Sequence, residues 1–204
     1  MKKSIVLLLA FCAGFSIMCF ELIGGKLLAP YFGSSVYVWG SIITVFMLAL
    51  SIGYLTGGRL SLFRPSINKY GLIFIISAML VIPTIFFAES IMDWVFEWVE
   101  DPRYGSLLAS ILLFLLPTAI MGMIAPYSVR ILTESKDSSG QTAGFLYFVS
   151  TLGSTIGTIM TSFYLVLWLE INEILWLTVL IMLFSGLLAL AVGFHQSSKK
   201  NFVK

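Results

Sequence analysis

A chain of 204 residues that is 59% hydrophobic and 11% charged, with a mean hydropathy of +1.00, lacks the polar residues that cover a water-soluble surface. Its net charge of +2 comes with no basic patch beyond the short loops between apolar runs, which excludes a nucleic-acid partner. The apolar residues do not alternate in short segments, as a transmembrane barrel requires, so the composition reads as an all-α, polytopic protein whose partner is the lipid bilayer.

Six apolar runs, at 4–29, 36–60, 70–88, 106–127, 143–168 and 172–194, reach or exceed the ~20 residues that cross a hydrocarbon core of ~30 Å. The first follows Lys2 and Lys3, like a secretory signal, but it continues well past the roughly 7–15 residues of a signal core and is read as a retained helix. Cys12 follows bulky Phe11, a poor lipoprotein site. Cys12 and Cys19 share one face of that helix, too far apart for a disulfide, and read as buried free thiols. His195 stands alone past the last run, so no metal site and no cofactor is expected, and no nucleophilic triad is available to an enzyme.

The gaps alternate in charge. Lys2 and Lys3, then Arg59, Arg64 and Lys69, then Arg130 and Lys136, then Lys199, Lys200 and Lys204 fall on one side. Glu89, Asp93, Glu97, Glu100, Asp101, Glu170 and Glu173 fall on the other. Basic loops stay in the cytoplasm, so the pattern predicts six crossings with both termini inside, forming one domain over 1–204. Trp39, Trp94, Trp98, Trp168 and Trp176 all fall at the outer interface, where their amphipathic rings favour the headgroup level. In the third gap, Ile91, Trp94, Val95, Trp98 and Val99 recur at helical spacing opposite Asp93, Glu97 and Glu100. That spacing predicts a short amphipathic helix on the outer surface between spans three and four, whose acidic stripe is its wet face or a means of concentrating cations.

Glu21, between Phe20 and Leu22, is an ionisable group inside the first run. Such groups are costly in lipid and face a cavity, a partner or a transport path. Five residues on is Lys26, about 140° around a regular helix unless Gly24 and Gly25 unwind. Two readings stand: a proton- or cation-binding carboxylate with Lys26 as counter-ion, or a structural ion pair or hydrogen-bonded helix contact. Tyr147 and Thr151, one turn apart in the fifth run, supply hydroxyls to a polar pocket or to a neighbouring helix. Gly53, Gly57 and Gly58 in the second run, and Gly153, Ser154 and Gly157 in the fifth, are small residues that let backbones approach closely in lipid. Gly122 and Pro126 favour a kink or hinge in the fourth. Ala29-Pro30-Tyr31 echoes Ala125-Pro126-Tyr127, and Ser51-Ile52-Gly53 echoes Thr155-Ile156-Gly157. Helices one and four run oppositely, so a three-plus-three repeat would be an inverted one, a plan common in transporters. Strings this short, at unequal offsets, establish no repeat by themselves.

Glu21-x-x-x-x-Lys26-x-x-x-Pro30-x-x-Gly33-x-Ser35 with Trp39 resembles the first-helix signature of bacterial membrane-embedded spermidine-synthase-like proteins, fusions of a major-facilitator-like domain with a spermidine synthase domain. The similarity continues at Gly53-x-x-x-Gly57-Gly58-Arg59, at Met121-Gly122-x-x-x-Pro126 and at Gly144-x-x-Tyr147-x-x-x-Thr151-x-Gly153-Ser154-x-x-Gly157. Lys26 stands where most relatives are expected to have Arg, and no Gly-rich loop for an adenosyl cofactor follows Phe194. The resemblance implies a half major-facilitator-like bundle in the bacterial cytoplasmic (inner) membrane, not itself an aminopropyltransferase. Two functions follow. One is a transporter-like module for a polyamine or another small organic cation, paired as a homodimer or with another membrane chain. The other is a scaffold that docks a separate cytosolic spermidine-synthase-like enzyme on its basic loops.

Overall fold

The computed structural model describes residues 2–133 and 139–201; the loop charges Glu134, Lys136 and Asp137 and the terminal Lys204 lie outside the described residues. The helices are α1 (Lys2–Phe32), α2 (Val36–Leu60), α3 (Ile67–Trp98), α4 (Pro102–Gly122), α5 (Ile124–Leu132), α6 (Ser139–Met160), α7 (Val166–Trp168) and α8 (Ile171–Asn201). A π-helical turn, Thr161–Leu165, joins α6 to α7. Since α4 continues into α5, and α6 through the π turn into α7, the described residues form six helices long and apolar enough to cross a membrane. The chain is a multi-pass membrane protein with six spans. The first span leaves, and the sixth returns to, one end of the bundle, called below the terminal end; the opposite end is the distal end.

Local chemistry sets the boundaries. Gly33, at φ +79°, donates its N–H to the Ala29 carbonyl at 2.9 Å, so α1 ends on the one residue type that adopts this conformation without strain. Ser66 caps α3 by accepting the Lys69 N–H at 3.2 Å, and Asp101 caps α4 by accepting the Arg103 N–H at 2.9 Å, with Pro102 in the first turn. Glu173 reaches back to accept the Glu170 N–H at 2.9 Å at the start of α8, half of a capping box. The fourth span breaks at Met123, between the two expected hinge residues. Pro126 has no N–H to return to the Gly122 carbonyl, and the Met123 N–H turns to Ile120 at 3.1 Å.

One expectation fails. Residues 90–99 do not form a separate surface helix; they continue α3 to Trp98. Thr84, Ala88, Met92 and Val95 are buried along one stripe, so the core-facing period runs on with no glycine or proline to interrupt it. At 32 residues α3 is about 48 Å long, and its last turns outreach a hydrocarbon core of ~30 Å while Asp93 and Glu97 stay exposed.

Phe20, Phe46 and Phe114, with centroids 5.3–5.7 Å apart, join α1, α2 and α4 at the centre of the core. Small residues make the closest approaches. Gly53 lies on the Ala119 carbonyl and Gly122, and a β-carbon at Gly57 would stand 2.6 Å from Met123. Gly14 and Gly153 lie on the Ser150 and Phe11 carbonyls, while a β-carbon at Gly157 would stand 2.6 Å from the Phe15 carbonyl. Gly58 takes no part, for a β-carbon there would meet nothing within 4 Å.

These seams belong to a repeated scheme. Span one packs on span five as span four packs on span two. Span three packs on span four as span six packs on span one, and spans three and six pack on each other. Exchanging spans 1–3 with 4–6 maps each of these pairings onto another, and corresponding spans run in opposite directions. This inverted arrangement gives the short sequence echoes a structural counterpart.

Candidate functional site

Glu21 lies two thirds along α1, half-buried, with Ile17 one turn before it and Gly25 one turn after it on nearly the same face. The helix stays regular through Gly24 and Gly25. Each glycine instead makes room for a ring: a β-carbon would stand 3.1 Å from Phe114 at Gly24 and 2.6 Å from Trp39 at Gly25. The turn of about 140° between Glu21 and Lys26 is therefore retained. Among the described residues the only ion pair is Arg103–Asp101, so Lys26 is not the counter-ion of Glu21.

The register between α1 and the fifth span separates Glu21 from the other expected site residues. Ser154 Oγ donates to the Gly14 carbonyl at 3.2 Å, and Cys19 Sγ lies 2.8 Å from Thr161 Oγ1. Both helices rise in the same direction, so Glu21 stands slightly above the level of Thr161. Thr151 is ten residues below Thr161, about 15 Å along the axis, and Tyr147 is one turn lower. A shared pocket of Glu21, Tyr147 and Thr151 is not what the packing forms. The glycine seam fixes this register, and no spacing within either helix reveals it.

Two regions result. Toward the terminal end, Tyr147 and Thr151 line a cavity of about 160 Å³ between spans one, two, four and five, with Gly14, Tyr54, Ser150 and Ser154. Toward the distal end, Lys26 lies between two cavities. One, of about 430 Å³, is lined by Gly25, Ser34, Trp39, Thr161 and Ser162; the other, of about 410 Å³, by Val166, Glu170 and Asn172. Glu21 lies along α1 between Met18, which lines the first cavity, and Leu22, which lines the second. Glu21 itself lines none of these three cavities; along α1 it stands between residues that do.

Nothing in the sequence singles out Tyr54 or Ser162, and neither the interface position of Trp39 nor its place after the Glu21–Ser35 string announces its packing on Gly25. Tyr54 follows Gly53, and its neighbour's close packing on α4 leaves Tyr54 on the free side of α2, exposed. The π turn has no signature in Thr161–Leu165; it arises within the span, and its Val166 N–H bonds the Thr161 carbonyl five residues back.

No protein-family model matches the chain, and neither a curated protein nor a solved structure is significantly similar to it. The fold therefore defines the class alone: a six-span polytopic membrane protein with an ionisable residue, Glu21, inside its first span.

Proposed function

We propose that this chain is a transporter-like membrane module that binds, and moves, a small organic cation such as a polyamine at Glu21. Its working form pairs two six-helix units, either two copies or one copy and another membrane chain. It resides in a bacterial cytoplasmic membrane with both termini inside, and the reading gives it no catalytic step.

The observation that carries this reading is the free face of the fifth span. Only 17% of that span's most apolar stretch is buried, against 39–50% in the other five, and it is also the least apolar of the six. Tyr147, Thr151, Thr155 and Ser162 are exposed there, and Tyr54 of α2 is exposed across the cavity that Tyr147 and Thr151 line. Hydroxyl-bearing faces in a bilayer turn toward protein or water rather than acyl chains, and an intramembrane carboxylate on the neighbouring first span suits a cation. The inverted pairing of spans is the plan of proteins that rock about a midplane site.

Uptake of a labelled polyamine by liposomes holding the purified chain tests the proposal. Glu21→Gln lowers uptake at least about tenfold, while Glu21→Asp retains part of it. Uptake undiminished in Glu21→Gln rejects Glu21 as the site.

A second reading, a scaffold for a cytosolic aminopropyltransferase-like enzyme, is favoured by the α2–α3 turn. Lys69 Nζ donates to the Phe63 carbonyl at 2.7 Å and the Ser66 N–H donates to Tyr127 at 3.2 Å, leaving Leu62, Phe63, Arg59 and Arg64 exposed on a fixed surface. Under it, Arg64→Glu releases a copurifying enzyme that Glu21→Gln leaves bound.

A further inference from the structure

We infer that the distal cavities around Lys26 form a binding site for an anionic head carried on an apolar body, separate from the cation site at Glu21. Lys26 is exposed, lines both cavities, and makes no ion pair or hydrogen bond among the described residues. An ammonium on a membrane span ordinarily reaches the headgroup level or finds a partner, because an uncompensated charge there is costly. Here it stands at the junction of two cavities of about 430 and 410 Å³, each large enough for a small organic group.

The lining is divided as such a ligand requires. Ser34 and Ser162 bring hydroxyls to the cavity that Lys26 shares with the Trp39 ring, and Asn172 brings an amide to its neighbour. Val166 belongs to both cavities and makes an apolar wall between them. The π turn places Thr161 and Ser162 on this wall, but Thr161 is already engaged with Cys19, so Ser162 is the free donor of the two. Glu170, on the rim of the second cavity, opposes an anion there. The head therefore sits on the Trp39 side of Lys26, between Ser34 and Ser162, with its apolar body against Trp39 and Val166. This chemistry belongs equally to an anionic phospholipid and to a water-soluble amphipathic anion.

Trp39 makes the site readable. The purified chain in detergent is titrated with phosphatidylglycerol brominated on its acyl chains, with brominated phosphatidylcholine as reference and hexyl phosphate as soluble competitor. Phosphatidylglycerol quenches a component of tryptophan fluorescence that Trp39→Phe removes. Lys26→Gln weakens that binding about fivefold, the value of one lysine facing an anionic headgroup, while Lys26→Arg preserves it. Competition by hexyl phosphate assigns the site to soluble anions; its failure to compete assigns the site to lipid. Because Lys26 is exposed, Lys26→Gln folds, and equal binding of phosphatidylglycerol by Lys26→Gln and the unmodified chain overturns the inference. Polyamine uptake by Glu21→Gln reads the other site, so the two proposals fail separately.

Discussion

In spans one to three, α2 uses Gly53 to lie on the fourth span; in spans four to six, α6 uses Gly153 and Gly157 to lie on the first. The two triplets are packed alike and equipped differently. The first span keeps a regular helix past Gly24 and Gly25 and carries Glu21 and Lys26. The fourth carries no charge at the corresponding depth. It holds Pro117, which cannot return an N–H to Leu113, and Thr84 of α3 supplies the missing donor to that carbonyl at 3.3 Å. The fifth span has a π turn where the second has plain α-helix. Small residues at crossing points preserve the repeat, while the intramembrane charges and the π turn occur in one triplet each. Symmetry here accounts for assembly, and the proposed sites lie where it is broken.

The largest effect expected is at the crossing points. Gly53→Val and Gly153→Val each drive a side chain into a facing backbone carbonyl, which cannot retreat as a flexible side chain would. Each should lose about 3 kcal/mol or more in a detergent-unfolding assay. Severe loss in one and tolerance in the other would break the equivalence of the two triplets.

A smaller effect sharpens the contrast at Pro117. Thr84→Val leaves the Leu113 carbonyl without its donor and should cost about 1 kcal/mol. In a Pro117→Ala background the restored N–H answers that carbonyl, so the same substitution should cost markedly less. Additive effects in the double-mutant cycle would show that Thr84 does not compensate for the proline.

The smallest effect concerns the boundary between the triplets. Hydrogen bonds from Arg103 hold the Asp101 carboxyl below the usual carboxylate range. A lowered folded-state pKa contributes stability at pH above the ordinary carboxylate value, and that contribution fades as pH falls through the lowered one. Asp101→Ala should therefore lower Tm slightly at neutral pH, and the difference should vanish in acid. A Tm difference that persists in acid would assign the cap's effect to something other than the charged carboxylate.

Much of the candidate site was legible one residue at a time. Glu21 stood out because a carboxyl in an apolar run is costly, and its angle to Lys26 followed from helix geometry alone. What failed was grouping. Tyr147 and Thr151 belong with Tyr54 at the terminal side, not with Glu21, because the Gly14–Ser154 and Cys19–Thr161 contacts set the sliding of one helix on another. The helical spacing within residues 90–99 is local, but their attachment to α3 depends on Met92 and Val95 finding the core.

The six spans, the charge asymmetry of the loops, the break near Pro126 and most of the small-residue seams are legible in the order of residues alone. Each rests on local rules: hydrocarbon thickness, loop charge, a missing N–H, a missing β-carbon. Which helices pair, at what register, where the fifth span loosens into a π turn, and which cavities Lys26 lines emerge only once the helices are packed. Those follow from contacts between residues more than a hundred positions apart, as Cys19 and Thr161 are, and no periodicity within one helix encodes them.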